Sequence, residues 1–178
     1  MSFIRNCENV LFSVIIPHYN SVSCLDKLLD TIPVDEKIQL IVVDDKSDED
    51  VRLVESKVLS RGGIFVHNTT DRKGAGTCRN LGLQEAVGKW LVFADADDFF
   101  LDHAFEIMYR YAESDADIVY FAPTSIYRGT DKVAGRHREL AKMINDFHEN
   151  PCHVFHKMCL SCRGNRGLYG YHLLHHLC

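Results

Sequence analysis

Trp90-Leu91-Val92-Phe93-Ala94-Asp95-Ala96-Asp97-Asp98 decides the fold: a short apolar run ends abruptly in three carboxylates. An almost continuously apolar run of this length suits a strand covered on both faces. Carboxylates crowded together repel, and they persist where a hard cation or a proton is shared among them. Oxygen ligands at the carboxyl end of a buried strand suit magnesium or manganese holding a phosphorylated ligand. Asp also caps helices that follow strands, so this stretch alone leaves both readings open.

Four more runs repeat the apolar pattern: Phe12 to Ile16, Ile38 to Val43, Ile64 to His67, and Asp117 to Ala122. Helical stretches lie between them. Leu25, Leu28, Leu29 and Ile32 recur at helical spacing, as do Leu81, Leu83, Ala86 and Val87. Ser47-Asp48-Glu49-Asp50 has the form of a capping box ahead of Val51, Leu53, Val54 and Val58, a helix that Gly62-Gly63 would stop. Asp102 would cap a fourth helix carrying Phe105, Met108 and Tyr109. This alternation predicts an α/β fold, a mostly parallel sheet sandwiched by helices. Ligands bind beyond the carboxyl ends of such strands.

The bulk properties agree. The chain has 178 residues and a formal net charge of -5, which argues against a general nucleic-acid binder. No apolar run is long enough to span a bilayer, and Met1 to Val10 has no signal-peptide core, so a cytoplasmic protein is expected. The 7 cysteines are an odd count, and without a secretory signal they are expected as thiols.

Three further strand ends carry polar signals. Ser13-Val14-Ile15-Ile16-Pro17-His18-Tyr19-Asn20 ends in a proline expected to close the strand, with Tyr19 offering an aromatic face and a hydroxyl. Ile41-Val42-Val43-Asp44-Asp45-Lys46-Ser47 places two carboxylates after a buried strand, suited to a ribose or base imide, or to capping. Asp71-Arg72-Lys73-Gly74-Ala75-Gly76-Thr77-Cys78-Arg79-Asn80 joins glycines to positive charge at a helix start, which favours phosphate. A dinucleotide fingerprint does not fit, because the first strand-helix turn lacks glycine. Asp95 and Asp97, two apart on an extended chain, would point the same way.

These four motifs, in this order and spacing, resemble family 2 glycosyltransferases of the GT-A fold, over about Ser13 to Tyr120. The resemblance implies a metal-assisted, inverting transfer of a sugar from a nucleotide-sugar, a UDP-sugar, to a glycan or glycolipid acceptor of the cell surface. It implies that Pro17 and Tyr19 line the nucleoside pocket and that Asp45 reads the base. Lys73 and Arg79 then lie near the diphosphate. Asp95 and Asp97 match the DxD motif, with Asp97 the direct ligand of Mn2+ or Mg2+ and Asp98 close to the donor sugar. On this reading residues 1–127 form the nucleotide-sugar-binding domain and residues 128–178 a partial acceptor-side segment with a divergent tail.

The tail departs from the family. An inverting enzyme needs a carboxylate base, usually from the acceptor side, yet Glu149 is the last acidic residue. No position marks Asp146 or Glu149 as its substitute. A truncated or frame-altered tail is therefore expected, and the alternative function is a nucleotide-sugar-binding remnant without turnover. A sugar-nucleotidyltransferase is disfavoured, because its glycine loop should follow the first strand. Cys152, Cys159 and Cys162 with nearby histidines offer a zinc reading against free thiols. The apolar, His-rich end from Leu168 to Leu177 reads as an ordinary terminus, with peripheral contact at the inner membrane face as the other reading. Leu140, Met143, Ile144 and Phe147 predict one more helix, ended by Asn150-Pro151.

Overall fold

The computed structural model describes residues 9–121, together with Tyr127, Gly135, Lys142 and the strand His172–His175. The helix expected around Leu140 to Phe147, the candidate bases Asp146 and Glu149, and the cysteines at 152, 159 and 162 lie outside the described residues. By internal contacts the chain forms two compact units, Met1–Ile118 with Leu173–Cys178, and Val119–His172.

Strands and helices alternate from Phe12 onward. The order is β1 (Phe12–His18), α1 (Val22–Asp30), β2 (Ile38–Asp44), α2 (Arg52–Ser60), β3 (Ile64–His67), α3 (Ala75–Glu85), β4 (Trp90–Phe93), α4 (Ala104–Tyr109), β5 (Ile118–Tyr120) and β6 (His172–His175). Within the first unit the sheet order is β3-β2-β1-β4-β6. β1 pairs in parallel with β2 and with β4, and β2 pairs in parallel with β3. The chain thus walks outward from β1 to β3 and then returns across β1 to β4. In doubly wound sheets the carboxyl ends of the strands at such a reversal are the usual ligand position.

Every residue of β1 and β2 is buried, as continuous apolar runs require when helices cover both faces. Ile15, Ile16, Ile41 and Val42 are fully inaccessible, and such side chains stabilise a fold by roughly 1.5–3 kcal/mol each. Leu25, Leu28 and Leu29 form the buried face of α1. α3 lies so close to β1 that a Cβ on Gly82 would collide with the Ile15 side chain. Val87, expected in the stripe of this helix, lies beyond its end and is exposed.

Two polar residues inside this core complete one network. Ser13 Oγ donates to Gln39 Oε1 at 2.6 Å and accepts from Gly88 N at 2.8 Å. Gln39 Oε1 also accepts from Val87 N at 3.0 Å, while its Nε2 donates to Glu85 O at 2.8 Å. The chain leaving α3 is thereby fastened to β1 and β2 before it enters β4.

Several local expectations change. Pro17 does not end its strand; β1 runs on to His18 opposite Asp44 of β2. Peptide groups alternate sides along a strand. Ile15 O accepts from Ala94 N on the β4 side and His18 O from Asp45 N on the β2 side, so Pro17 faces the β4 side. Pairing with β4 stops at Ile15–Phe93, so the missing Pro17 N–H leaves no partner unsatisfied. The capping box does not form: Val51 is the N-cap of α2, with no side-chain cap. Ser47 and Glu49 instead serve the other loop, accepting from Asn20 N at 2.9 Å and Val22 N at 3.0 Å, the latter capping α1. Asp102 does not cap α4 either, because His103 holds the N-cap position in the left-handed region at φ 65°. At the other end of α2 the expectation holds. Gly62, at φ 69°, donates to Leu59 O and Gly63 to Val58 O, the paired bonds of a Schellman stop. His172–His175, read as a plain terminus, is an antiparallel strand on β4.

Replacing Gln39 by Leu should remove the acceptor of the buried Ser13 hydroxyl and the part-buried partners of Val87 N–H and Glu85 C=O. Urea unfolding should report a loss of about 2–4 kcal/mol. A loss below about 1 kcal/mol would mean that water already serves these groups.

Candidate functional site

The carboxyl edge of the sheet begins with two carboxylates at the end of β2, Asp44 and Asp45, both buried. Asp44 Oδ1 lies 3.0 Å from His18 Nδ1, and Asp44 Oδ2 accepts from Ser47 N at 3.2 Å. His18 Nε2 accepts from Ser21 N at 3.3 Å, which puts the ring proton on Nδ1, facing Asp44. Burial pushes the Asp44 carboxyl up, but hydrogen bonds from Ser47 and His18 outweigh it and hold the group below its ordinary value. Half-exposed His67 adds a third neighbour, its Nδ1 3.8 Å from Asp44 Oδ2.

Asp45 turns towards the glycine loop. Its Oδ1 accepts from Asn68 Nδ2 and its Oδ2 from Gly74 N, both at 2.6 Å. Gly74 sits at φ 114°, a conformation that side chains strain to adopt, and it is the N-cap of α3. One turn into that helix, the Cys78 thiol is pushed up to about 12, chiefly by burial and then by the Asp45 carboxylate, so it stays protonated and unreactive.

Of the residues singled out from the sequence, two pairs meet. Lys73 Nζ stands 4.7 Å from the centroid of the Tyr19 ring, a cation–π contact between the glycine loop and the end of β1. The Tyr19 side of that contact is open, with 49% of the residue exposed. Arg79 Nη2 lies 2.5 Å from Asp95 Oδ1, joining α3 to the end of β4. Adjacent residues of α3 therefore address both ends of the edge, Cys78 against Asp45 and Arg79 against Asp95. Pro17 is buried within β1 and presents no side chain at the surface.

The opening carboxylates are not on an extended chain. Asp98 N donates to Asp95 O at 3.0 Å, closing a turn over Ala96 and Asp97. Two-residue alternation therefore does not align Asp95 with Asp97. Asp95 is half-buried and committed to Arg79, whereas Asp97 and Asp98 are exposed, and Asp97 has no hydrogen-bond or ion-pair partner among the described residues. No group of three His, Cys, Asp or Glu side chains among the described residues gathers closely enough to hold a metal ion alone. An uncommitted carboxylate at an exposed turn nonetheless fits a hard divalent cation that takes its other oxygens from a ligand and water.

Sequence reading missed Asn68 and His18, whose side chains meet the buried carboxylates. The one available signal was Asn68-Thr69-Thr70 immediately after a strand, a turn signature that carries no mark of what it holds.

A family model described as "Glycosyl transferase family 2" matches residues 13–170. The glycosyltransferase GlyG of Streptococcus pneumoniae is 29% identical over 115 residues, which are 61% of this chain and 38% of that protein. Staphylococcus aureus TarS 1-349 in complex with UDP-GlcNAc superposes with a TM-score of 0.60 at 25% identity, covering 68% of this chain and 36% of that one. The Mycobacterium tuberculosis glucosyl-3-phosphoglycerate synthase, in a complex with Mn2+ and UDP, shares the fold at 22% identity and a TM-score of 0.55, covering 94% of this chain and 57% of that one. The matched segment spans 16–38% of the length of the curated relatives.

The Asp44 arrangement predicts an acid signature. A carboxyl lowered from 3.8 stabilises the fold above that pH and loses its contribution as pH falls through the lower, folded value. Asp44→Asn should therefore lower Tm at neutral pH, and the gap from wild type should close below pH 3.8. A gap that stays constant into acid would contradict an ionised, hydrogen-bonded Asp44.

Proposed function

The chain belongs to glycosyl transferase family 2, and on that premise we propose that its sheet edge binds a UDP-sugar and serves inverting transfer to a glycan or glycolipid acceptor. The observation carrying this reading is the Arg79–Asp95 ion pair, which joins the start of α3 to the end of β4 beside the β1–β4 reversal. Family membership alone gives a glycosyltransferase fold; this placement is what supports a donor site at the sheet edge.

Each residue then has a role set by its surroundings. Tyr19 offers an exposed ring face for a base, at the end of the strand that Pro17 keeps unpaired towards β4. Asp45 spends acceptor positions on Asn68, Gly74 and the Cys78 thiol, but a carboxylate has about four, so one remains for a base imide. Lys73 and Arg79 bring positive charge to the segment where a diphosphate would lie. Asp97 would hold Mn2+ or Mg2+ directly by oxygen, with Asp95, kept in place by Arg79, two residues before it. Asp98 would lie close to the donor sugar.

Breaking the anomeric bond leaves negative charge on the departing nucleoside diphosphate, so groups aimed at that charge lower the barrier most. Arg79 and Lys73 are such groups in this chain. A bound divalent ion supplies Lewis-acid neutralisation of the same phosphates.

Calorimetry with UDP should show binding that manganese strengthens. Asp97→Ala should weaken the manganese-dependent binding by at least about 10- to 100-fold, the loss already caused by removing groups that only orient a metal ligand. Failure of the wild-type chain to bind UDP with manganese would overturn the donor-site reading. Binding without release of sugar, with or without acceptor, would favour a remnant over an enzyme.

A further inference from the structure

Asn68 is buried one residue beyond β3, and its side-chain amide is fully engaged by its own loop and by Asp45 at the end of β2. Its Nδ2 donates to Asp45 Oδ1 at 2.6 Å and to Arg72 O at 2.7 Å. Its Oδ1 accepts from Thr70 N at 3.0 Å and from Thr70 Oγ1 at 2.7 Å. Both neighbours of the NH2 group are pure acceptors and both partners of the oxygen are donors, so the amide has one workable orientation. The pattern brackets a single residue. Arg72 O precedes Lys73 and is held by Asn68; Gly74 N follows it and is held by Asp45, which Asn68 itself holds. Lys73 thus leaves a backbone pinned on both sides, and its ammonium stands over Tyr19. Pinning the backbone fixes where this flexible side chain starts, and the Tyr19 ring gives its ammonium a place to rest.

We propose that Asn68 is a positioning residue of the donor site: it sets Lys73 over Tyr19 and orients Asp45, so that a nucleoside diphosphate meets both in place. The inference rests on the donor-site reading above. It differs from a purely structural turn in one respect: loss of Asn68 should act on ligand binding through Lys73 and Asp45, and not through stability alone.

Asn68→Asp separates the two. It keeps the shape but sets a second carboxyl against Asp45, and two carboxyls this close share a proton, raising the pKa of the pair. When protonated, the new carboxyl can donate to Asp45 again; when ionised, it repels it. UDP affinity is measured by calorimetry with manganese, as the ratio of variant to wild type, so titration of UDP itself cancels. That ratio should be about tenfold below unity near pH 8 and recover to within about threefold near pH 5. A second measurement is a double-mutant cycle between Asn68→Ala and Lys73→Ala, in which the combined loss should be smaller than the product of the two single losses. Should either Asn68 variant fail to fold by circular dichroism, Thr70→Val, which removes one donor to the Asn68 oxygen, should still weaken UDP binding.

A pH-independent ratio, multiplicative losses in the cycle, or unchanged binding by Thr70→Val would overturn the role of Asn68 while wild-type UDP binding stands. Absence of wild-type binding would remove the donor site and this role together.

Discussion

Two consecutive carboxylates leave a fully buried strand, and the loops of the edge are arranged to satisfy them. Asp44 is the last residue of β2 and Asp45 the first beyond it, and each takes its own set of partners. Burying a charge without partners costs several kcal/mol, so each must be met by donors held at short range. Asp44 recruits His18 from β1 and Ser47 from its own loop. Asp45 recruits Asn68 from the end of β3 and the amide of Gly74 at the head of α3. Three strand ends and one helix start are thereby drawn to a single point. The exposed groups, Tyr19 and Lys73, are carried on the segments that this clamp immobilises.

The fold was largely legible because its signal is redundant. β1 and β2 are apolar at nearly every position, and no polar face competes for the assignment. Alternation with amphipathic stretches then leaves a parallel sheet as the natural solution. The errors fall where chemistry is local. Ser47 and Glu49 have the spacing of a capping box, but Asn20 N and Val22 N lie within their reach, and tertiary partners displaced sequence neighbours. The strand His172–His175 was hidden for a different reason. An antiparallel edge partner takes its register from β4, which no pattern within the tail reveals.

The site was legible as residues and not as geometry. Tyr19, Lys73, Arg79 and Asp95 were each visible from the sequence, and the structure joins them in two pairs. What the sequence hid was the division of labour between carboxylates. Asp95 and Asp97 look equivalent when written out, yet a turn closing at Asp98 leaves one ion-paired and the other free to take a ligand. Asp45 looks like a surface reader of ligands, yet it is first an internal strut. Such differences depend on which loop lands beside which carboxylate, and that is decided by strand order.

Pro17 has a consequence beyond the hydrogen bond it lacks. An exposed row of peptide groups invites another strand, and the β4 side of β1 past Phe93 would be such a row. With no N–H at that position, neither the chain leaving β4 nor a foreign segment can continue the ladder there. The ladder is kept from closing by a covalent fact of one ring. Two strand ends that cannot zip together past this point stay separate whatever lies between them.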